Sequence, residues 1–427
     1  MCPYDAVIFD LDGTLTDSRP GIFACTEYAL KKMGRPVPPP EILQRFLGPP
    51  LAESFMKYCG MTEEEAAHAT ALYRERYIPI GWKENSVYPR IRALLAALKS
   101  KGVYLAVATG KPEHTSVEIL RYFHLLQYFD AVAGPAPGEL HADKGQLILR
   151  VLPRGKKAVM VGDIAGDVKG AQDAGIPSVA ALYGYGSREE ILRQGPTHQA
   201  EDTKALCDIL CPDMEKPKGY FITLEGVDGC GKSTQAAALK QRLEQFGYTV
   251  RRTREPGGCP IAESVRDMLL VKEDNGMCPE AEALLFAAAR AQHLREVILP
   301  AVEKGEIVLC DRFVDSSLAY QGAARGLGVE WIREINRLAF GEGAPNATLY
   351  LRLPHEAAMA RRLSVSQPDR IEQAGDSFHA KTEAAFEEMS RAYPDRYVTV
   401  DAAQKPEAIT DEAFRALFAR MEKEGVL

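Results

Sequence analysis

Short apolar runs alternate with stretches of helical period along the whole chain. In the first half YDAVIFD (4–10), VYLAVAT (103–109), KAVMVGD (157–163) and PSVAAL (177–182) read as buried strands. In the second half YFITLEG (220–226), YTVRRTR (248–254), EIVLCDR (306–312), ATLYLRL (347–353) and RYVTVDA (396–402) read the same way. Strands that are apolar without alternation, separated by amphipathic helices, predict an α/β fold with mainly parallel sheets. Between the first two strands the period turns helical, in FACTEYALKKM (23–33) and EEEAAHATALYRERY (63–77), so residues 16 to 85 read as a helical insertion. The segment CPDMEKPKG (211–219) carries two prolines, a glycine and four charges and is the natural linker. It predicts two domains, 1–214 and 215–427.

Composition adds limits. A chain of 427 residues exceeds one ordinary core, so two domains are expected on size alone. The net charge of −7 argues against a broad basic surface for nucleic acid. No apolar run approaches the ~20 residues that span a bilayer, and the opening MCPYDAVIFDLDG argues against a secretory signal. The nine cysteines include no Cys-x-x-Cys pair; Cys207 and Cys211, one helical turn apart, read as small apolar side chains on one face. These features fit a cytoplasmic protein without membrane or nucleic-acid partners.

The strand VIFD ends in Asp10-Leu11-Asp12-Gly13-Thr14. Two carboxylates just past the end of a parallel strand lie where such sheets bind ligands, and they suit a hard cation such as Mg²⁺. Thr109 ends the next core strand, Lys144 opens a helical pattern, and Asp163 and Asp167 follow a third strand in GDIAGD. This order resembles the four motifs of the haloacid dehalogenase superfamily, over residues 5 to 210. Residues 16 to 85 are similar to the helical cap of its phosphoglycolate-phosphatase-like branch, as are GPPLAESF (48–55) and ATGKP (108–112). The resemblance implies that Asp10 is a nucleophile forming an aspartyl-phosphate and that Asp12 is the general acid and base. It implies that Thr109 and Lys144 hold phosphoryl oxygens, that Asp10, Asp12 and Asp163 bind Mg²⁺, and that Asp167 supports them. The substrate would be a small phosphomonoester whose identity the cap sequence leaves open.

In the second half, EGVDGCGKST follows a strand and opens a helical pattern. Gly226, Val227, Asp228, Gly229, Cys230, Gly231, Lys232 and Ser233 form a phosphate loop, in which backbone amides at a helix N-terminus face an anion. Lys232 would reach the β- and γ-phosphates of ATP, and the Ser233 hydroxyl would ligate Mg²⁺. Cys230 has two readings, a reactive thiol at a helix N-terminus or a small residue filling space.

TREPGG (253–258), LLFAAARAQH (284–293), CDRFVDSSLAYQG (310–322) and PDRIE (368–372) follow in order. Together with the loop they resemble thymidylate kinase, over residues 219 to about 423. The resemblance implies phosphorylation of dTMP by ATP. Asp228 would meet the sugar, Arg254 would lie near the acceptor phosphate, Phe286 would stack on thymine and Arg290 would donate to the base. Arg312 would grip the acceptor phosphate, with Asp311 beside the metal and Ser317, Tyr320 and Gln321 lining base and sugar. Gly229 stands where one subgroup keeps a loop arginine. The lid would then supply the cation, and its arginines are at 361, 362 and 370, so Arg361 and Arg362 are the candidates. The family also implies a homodimer through kinase helices.

The expected whole is an α/β protein: a Rossmann-like core with a helical cap, then a P-loop nucleoside monophosphate kinase domain. It would be a two-enzyme chain. The alternative, in which one half is active and the other binds or regulates, stays open.

Overall fold

Hydrophobic burial sorts the apolar runs into two parallel sheets. The computed structural model describes residues 2–136, 142–270, 276–341, 343–363 and 375–426. They fall into two compact units, Met1–Glu215 with Gln245–Gly247, and Lys216–Glu244 with Tyr248–Leu427.

In the first unit Ala6–Phe9 forms β1, and the short strands Thr16–Asp17 (β2) and Ser86–Val87 (β3) pair antiparallel. Then come Tyr104–Ala108 (β4), Ala131–Ala133 (β5), Ala158–Gly162 (β6), Ser178–Ala181 (β7) and His198–Ala200 (β8). The main sheet runs β5-β4-β1-β6-β7-β8 with every pair parallel. Strand β1 is wholly buried, and burying an Ile or Phe side chain contributes ~1.5–3 kcal/mol. The chain moves to β4 on one side of β1 and to β6 on the other. The carboxyl end of β1 is therefore the switch point at which such sheets open a ligand crevice.

Between β2 and β3 the chain is helical. Arg19–Lys32 packs on Glu63–Tyr77 around Cys25, Ala29, Phe55, Ala66, Ala69 and Tyr73. The second helix starts at a capping box: Thr62 Oγ1 accepts from Glu65 N, and the Glu65 carboxylate accepts from Thr62 N.

The second unit carries Tyr220–Glu225 (β9), Val250–Arg254 (β10), Ile307–Asp311 (β11), Ala347–Arg352 (β12) and Tyr397–Asp401 (β13). All are parallel in the order β10-β11-β9-β12-β13. Here β9 is the central strand from which the chain leaves in both directions, so its carboxyl end is the switch point. Both halves thus place their candidate chemistry just past the central strand of a parallel sheet, and the α/β reading holds for each. No helix among the described residues is long and apolar enough to cross a membrane.

Candidate active sites

In the first unit Asp10 follows β1 and Asp163 follows β6, so pairing of the two strands brings the carboxylates together. Asp167 joins them from the first turn of helix Ala165–Asp173. Oxygens of Asp10, Asp163 and Asp167 lie within 4.8 Å of one another, and all three residues are buried. Lys144 opens helix Lys144–Val151, whose N-cap Asp143 accepts from Gln146 N. Its ammonium donates to Asp10 Oδ1 (2.9 Å) and to Ala108 O (3.1 Å), and it pairs with Asp167 Oδ1 (2.7 Å). Gly170 makes room for this lysine: a Cβ there would stand 2.7 Å from Lys144 Cγ.

The electrostatics are those of crowded carboxylates. Burial, then the neighbouring Asp10 and Asp167, raises the Asp163 carboxyl well above its ordinary range. Burial also raises Asp10, with Lys144 opposing and Asp167 adding to the rise. Asp163 is held by Thr14 Oγ1 (2.9 Å) and Tyr185 N (2.8 Å). One ammonium among three carboxylates leaves negative charge over, and an all-oxygen donor set matches a hard divalent cation. The residues present therefore fit Mg²⁺. Gly13 closes the turn at φ +83°, where a Cβ would lie 2.1 Å from Asp163 Oδ2.

Asp12 Oδ2 pairs with Lys111 Nζ at 2.6 Å. Asp12 Oδ1 is buried without a hydrogen-bond partner among the described residues. Thr109 is buried at the end of β4, and its hydroxyl accepts from Lys111 N. Lys111 also sits over the ring of Tyr77, a residue of the helical insertion. Its motif, ATGKP, is legible in the sequence, where Thr109 carries a role and Lys111 none. The signal was its place two residues after Thr109 at a strand end.

In the second unit a cleft of about 800 Å³ runs past the end of β9. Its wall holds the loop from Asp228 to Ser233 and also Arg254, Phe286, Arg290, Asp311, Arg312, Ser317, Tyr320, Gln321 and Arg361. Pairing of β11 with β9 delivers Asp311 and Arg312 beside the loop. Lys232 Nζ donates to Gly226 O (3.0 Å) and Val227 O (2.9 Å), and Ser233 Oγ donates to Asp311 Oδ2 (2.7 Å). That hydroxyl–carboxylate pair at a phosphate loop also fits Mg²⁺. Gly226 has φ +139°, and a Cβ there would meet Leu351 O at 2.7 Å and Cys230 Sγ at 2.9 Å.

Arg312 donates to Asp228 Oδ1, to Ser316 Oγ (2.9 Å) and to Tyr320 Oη (3.3 Å), while Tyr320 Oη donates to Asp228 Oδ2 (2.7 Å). Burial opposes ionisation of Asp228, but the Arg312 and Lys232 cations outweigh it and hold the carboxyl well below the usual range. Arg290 is nearly enclosed. It donates to Glu255 Oε2 (2.7 Å), Asn336 Oδ1, Phe313 O (3.1 Å) and Ser317 Oγ (3.2 Å). Glu255, inside TREPGG, also accepts from or pairs with His293 Nδ1 at 3.1 Å. Gln321 Nε2 donates to buried Glu282. Phe286 is half-buried against the core beside the cleft. Arg254 is exposed and pairs with Glu263.

The reactive-thiol reading of Cys230 is overturned. The side chain is 1% exposed, and burial raises the thiol despite the adjacent Lys232. Of the lid candidates, Arg361 donates to Ala402 O (2.8 Å). The Arg362 side chain and residues 364–374, including Arg370, lie outside the described residues.

The thymidylate kinase family model matches residues 224–413, and that of haloacid dehalogenase-like hydrolases matches residues 7–181. The thymidylate kinase of Geobacter sp. (strain M21) is 43% identical over 217 residues, which make up 49% of this chain and 96% of the relative. That of Pseudomonas putida is 47% identical over 191 residues, 45% of this chain and 91% of the relative. Among solved structures, a predicted phosphatase from Clostridium acetobutylicum is 40% identical, with a TM-score of 0.43, over 48% of this chain and 96% of its own. A haloacid dehalogenase-like family hydrolase from Streptococcus pneumoniae is 30% identical, with a TM-score of 0.44, over 47% of this chain and 95% of its own. The chain thus belongs to the thymidylate kinase family through its second half and joins to it a haloacid dehalogenase-like hydrolase in its first.

Proposed function

We propose that the second half transfers the γ-phosphoryl group of ATP to dTMP, and that the first half hydrolyses a different, small phosphomonoester. The carrying observation is that one cleft is lined both by the phosphate loop and by Arg254, Phe286, Arg290, Arg312 and Gln321. A nucleotide donor and a nucleotide acceptor can therefore lie in a single cavity. Transfer between two polyanions needs alignment and charge neutralisation more than acid–base chemistry. Lys232 and Arg312 supply cations to the cleft. Arg290 and Gln321 give the base its polar contacts, and Phe286 gives it an apolar one. Ser233 and Asp311 would hold Mg²⁺, which would supply charge neutralisation to the phosphates.

In the first half Asp10 attacks phosphorus and the leaving oxygen takes a proton from Asp12. Water activated by Asp12 then releases phosphate from the aspartyl-phosphate. Lys144 and Thr109 hold the phosphoryl oxygens. Mg²⁺ held by Asp10, Asp163 and the Asp12 backbone would offset the charge between carboxylate and phosphate. Efficient hydrolysis of dTMP by this site would undo the kinase, so another phosphomonoester is the preferred substrate. A screen of phosphomonoesters tests this. A best substrate other than dTMP, lost in Asp10→Asn, is expected; dTMP as the best substrate overturns the assignment.

A further inference from the structure

The residue proposed to grip the acceptor phosphate has an unfavourable backbone. Arg312 has φ +71°, in the left-handed region. For a side chain as large as arginine this conformation is strained and persists only where the surroundings enforce it.

We propose that Glu225 is the positioning residue that enforces it, acting through Phe313 and Ser316 without touching substrate. Glu225 ends β9 and is fully buried. One carboxylate oxygen accepts from Phe313 N (2.8 Å), the amide directly after Arg312. The other accepts from Ser316 Oγ (2.6 Å), and that same hydroxyl accepts from Arg312 Nη1 (2.9 Å). A single carboxyl group therefore fixes the backbone beyond the strained residue and, through one hydroxyl, the guanidinium itself. Arg312 N completes the frame by donating to Leu224 O (3.0 Å), so residues 224 and 225 of β9 hold both sides of the bend.

A buried carboxyl is a costly means of cohesion alone, because an apolar side chain fills the same space without desolvating a charge. Its presence at this spot fits a role in geometry. The charged and titratable groups facing it are Arg312, Asp315, Cys310 of β11, and Arg396 and Tyr397 from the β13 side. Among them Asp315 is already occupied by Arg396 (2.9 Å) and Thr348 (3.3 Å). Glu225 is thereby left to the Arg312 loop.

For the role of Arg312 this inference rests on the dTMP kinase reading; the clamp itself rests on geometry. The test uses the full chain with Glu225→Ala, Glu225→Gln and Ser316→Ala. Steady-state kinetics should show KM for dTMP rising at least about tenfold in Glu225→Ala, equivalent to about 1.4 kcal/mol, with KM for ATP nearly unchanged. Glu225→Gln keeps an acceptor for Phe313 N and should restore most of the dTMP affinity. Ser316→Ala leaves that bond in place and should give a smaller rise, again confined to dTMP. Equal rises in both KM values, or no rise for dTMP, would overturn the proposal. Amide hydrogen exchange of residues 312–316 reads the clamp without nucleotide. Exchange there should quicken at least about tenfold in Glu225→Ala and hardly change in Glu225→Gln. Unchanged exchange overturns the clamp, whereas absence of dTMP turnover in the wild type overturns only the kinase reading.

Discussion

Replacing Glu255 by alanine removes the carboxylate that pairs with Arg290, whose side chain is 2% exposed. Among the described residues no other carboxylate pairs with this arginine. Breaking a buried ion pair from one side costs ~3–5 kcal/mol, because the surviving charge stays desolvated. Asn336, Phe313 O and Ser317 still solvate the guanidinium, so the lower end, about 3 kcal/mol, is expected. The chain has two tryptophans, Trp82 and Trp331, and only the latter lies in the second unit. In a Trp82→Phe background, Trp331 fluorescence therefore reports urea unfolding of the kinase half. With a slope of about 2–3 kcal/mol/M, the midpoint should fall by roughly 1–1.5 M. Glu255→Ala/Arg290→Met removes the orphaned charge together with its partner and should recover at least about half of the loss. A loss below about 1 kcal/mol in the single variant, or no recovery in the double, would refute the reasoning.

Four further outcomes are expected. Lys144→Ala should lower phosphatase turnover by about 10²–10³ and leave kinase turnover unchanged, since it removes the ammonium between Asp10 and Asp167. Gly13→Ala should abolish phosphatase activity in the same assay, because the new Cβ would strike Asp163 and φ is +83°. Burial, reinforced by Asp315, pushes the Glu225 carboxyl from 4.5 up to about 7, so the folded state binds this proton more tightly than the unfolded chain. Its contribution is complete below pH 4.5 and is lost as pH rises through about 7; urea midpoints should fall over that window and fall less in Glu225→Gln. The Cys230 thiol, buried and raised, should resist alkylation in the folded protein, and ready labelling at neutral pH would contradict its placement.

Most of the strands legible in the sequence are buried on both faces. Strands β1, β4, β6 and β7 of the first unit and β9, β11 and β12 of the second are buried, largely apolar runs, whereas β10 (VRRTR) is mostly exposed and β13 (YVTVD) only partly buried. Strands β5 and β8 went unread, since three residues of AVA or HQA at the two ends of the sheet carry no such run. Chemistry tied to strand ends was equally visible, because Asp10, Thr109, Asp163 and the phosphate loop each follow an apolar run directly. What stayed hidden depends on contacts between distant segments. Lys111 gains meaning only beside Asp12, Glu225 only beside Phe313 and Ser316, and Glu255 only beside Arg290. For Cys230 the sequence leaves two readings, a lowered pKa at the helix N-terminus or a small residue filling space. The side chain turns inward towards Gly226, and desolvation prevails over the nearby cation.

The most direct test of two independent active sites is one assay series on the wild-type chain, Lys232→Ala and Asp10→Asn. It follows dTDP formation from ATP and dTMP alongside phosphate release from the best phosphomonoester. The account predicts that Lys232→Ala loses the first activity and keeps the second, while Asp10→Asn does the reverse. Turnover of dTMP that survives Lys232→Ala, or phosphate release that survives Asp10→Asn, would contradict it.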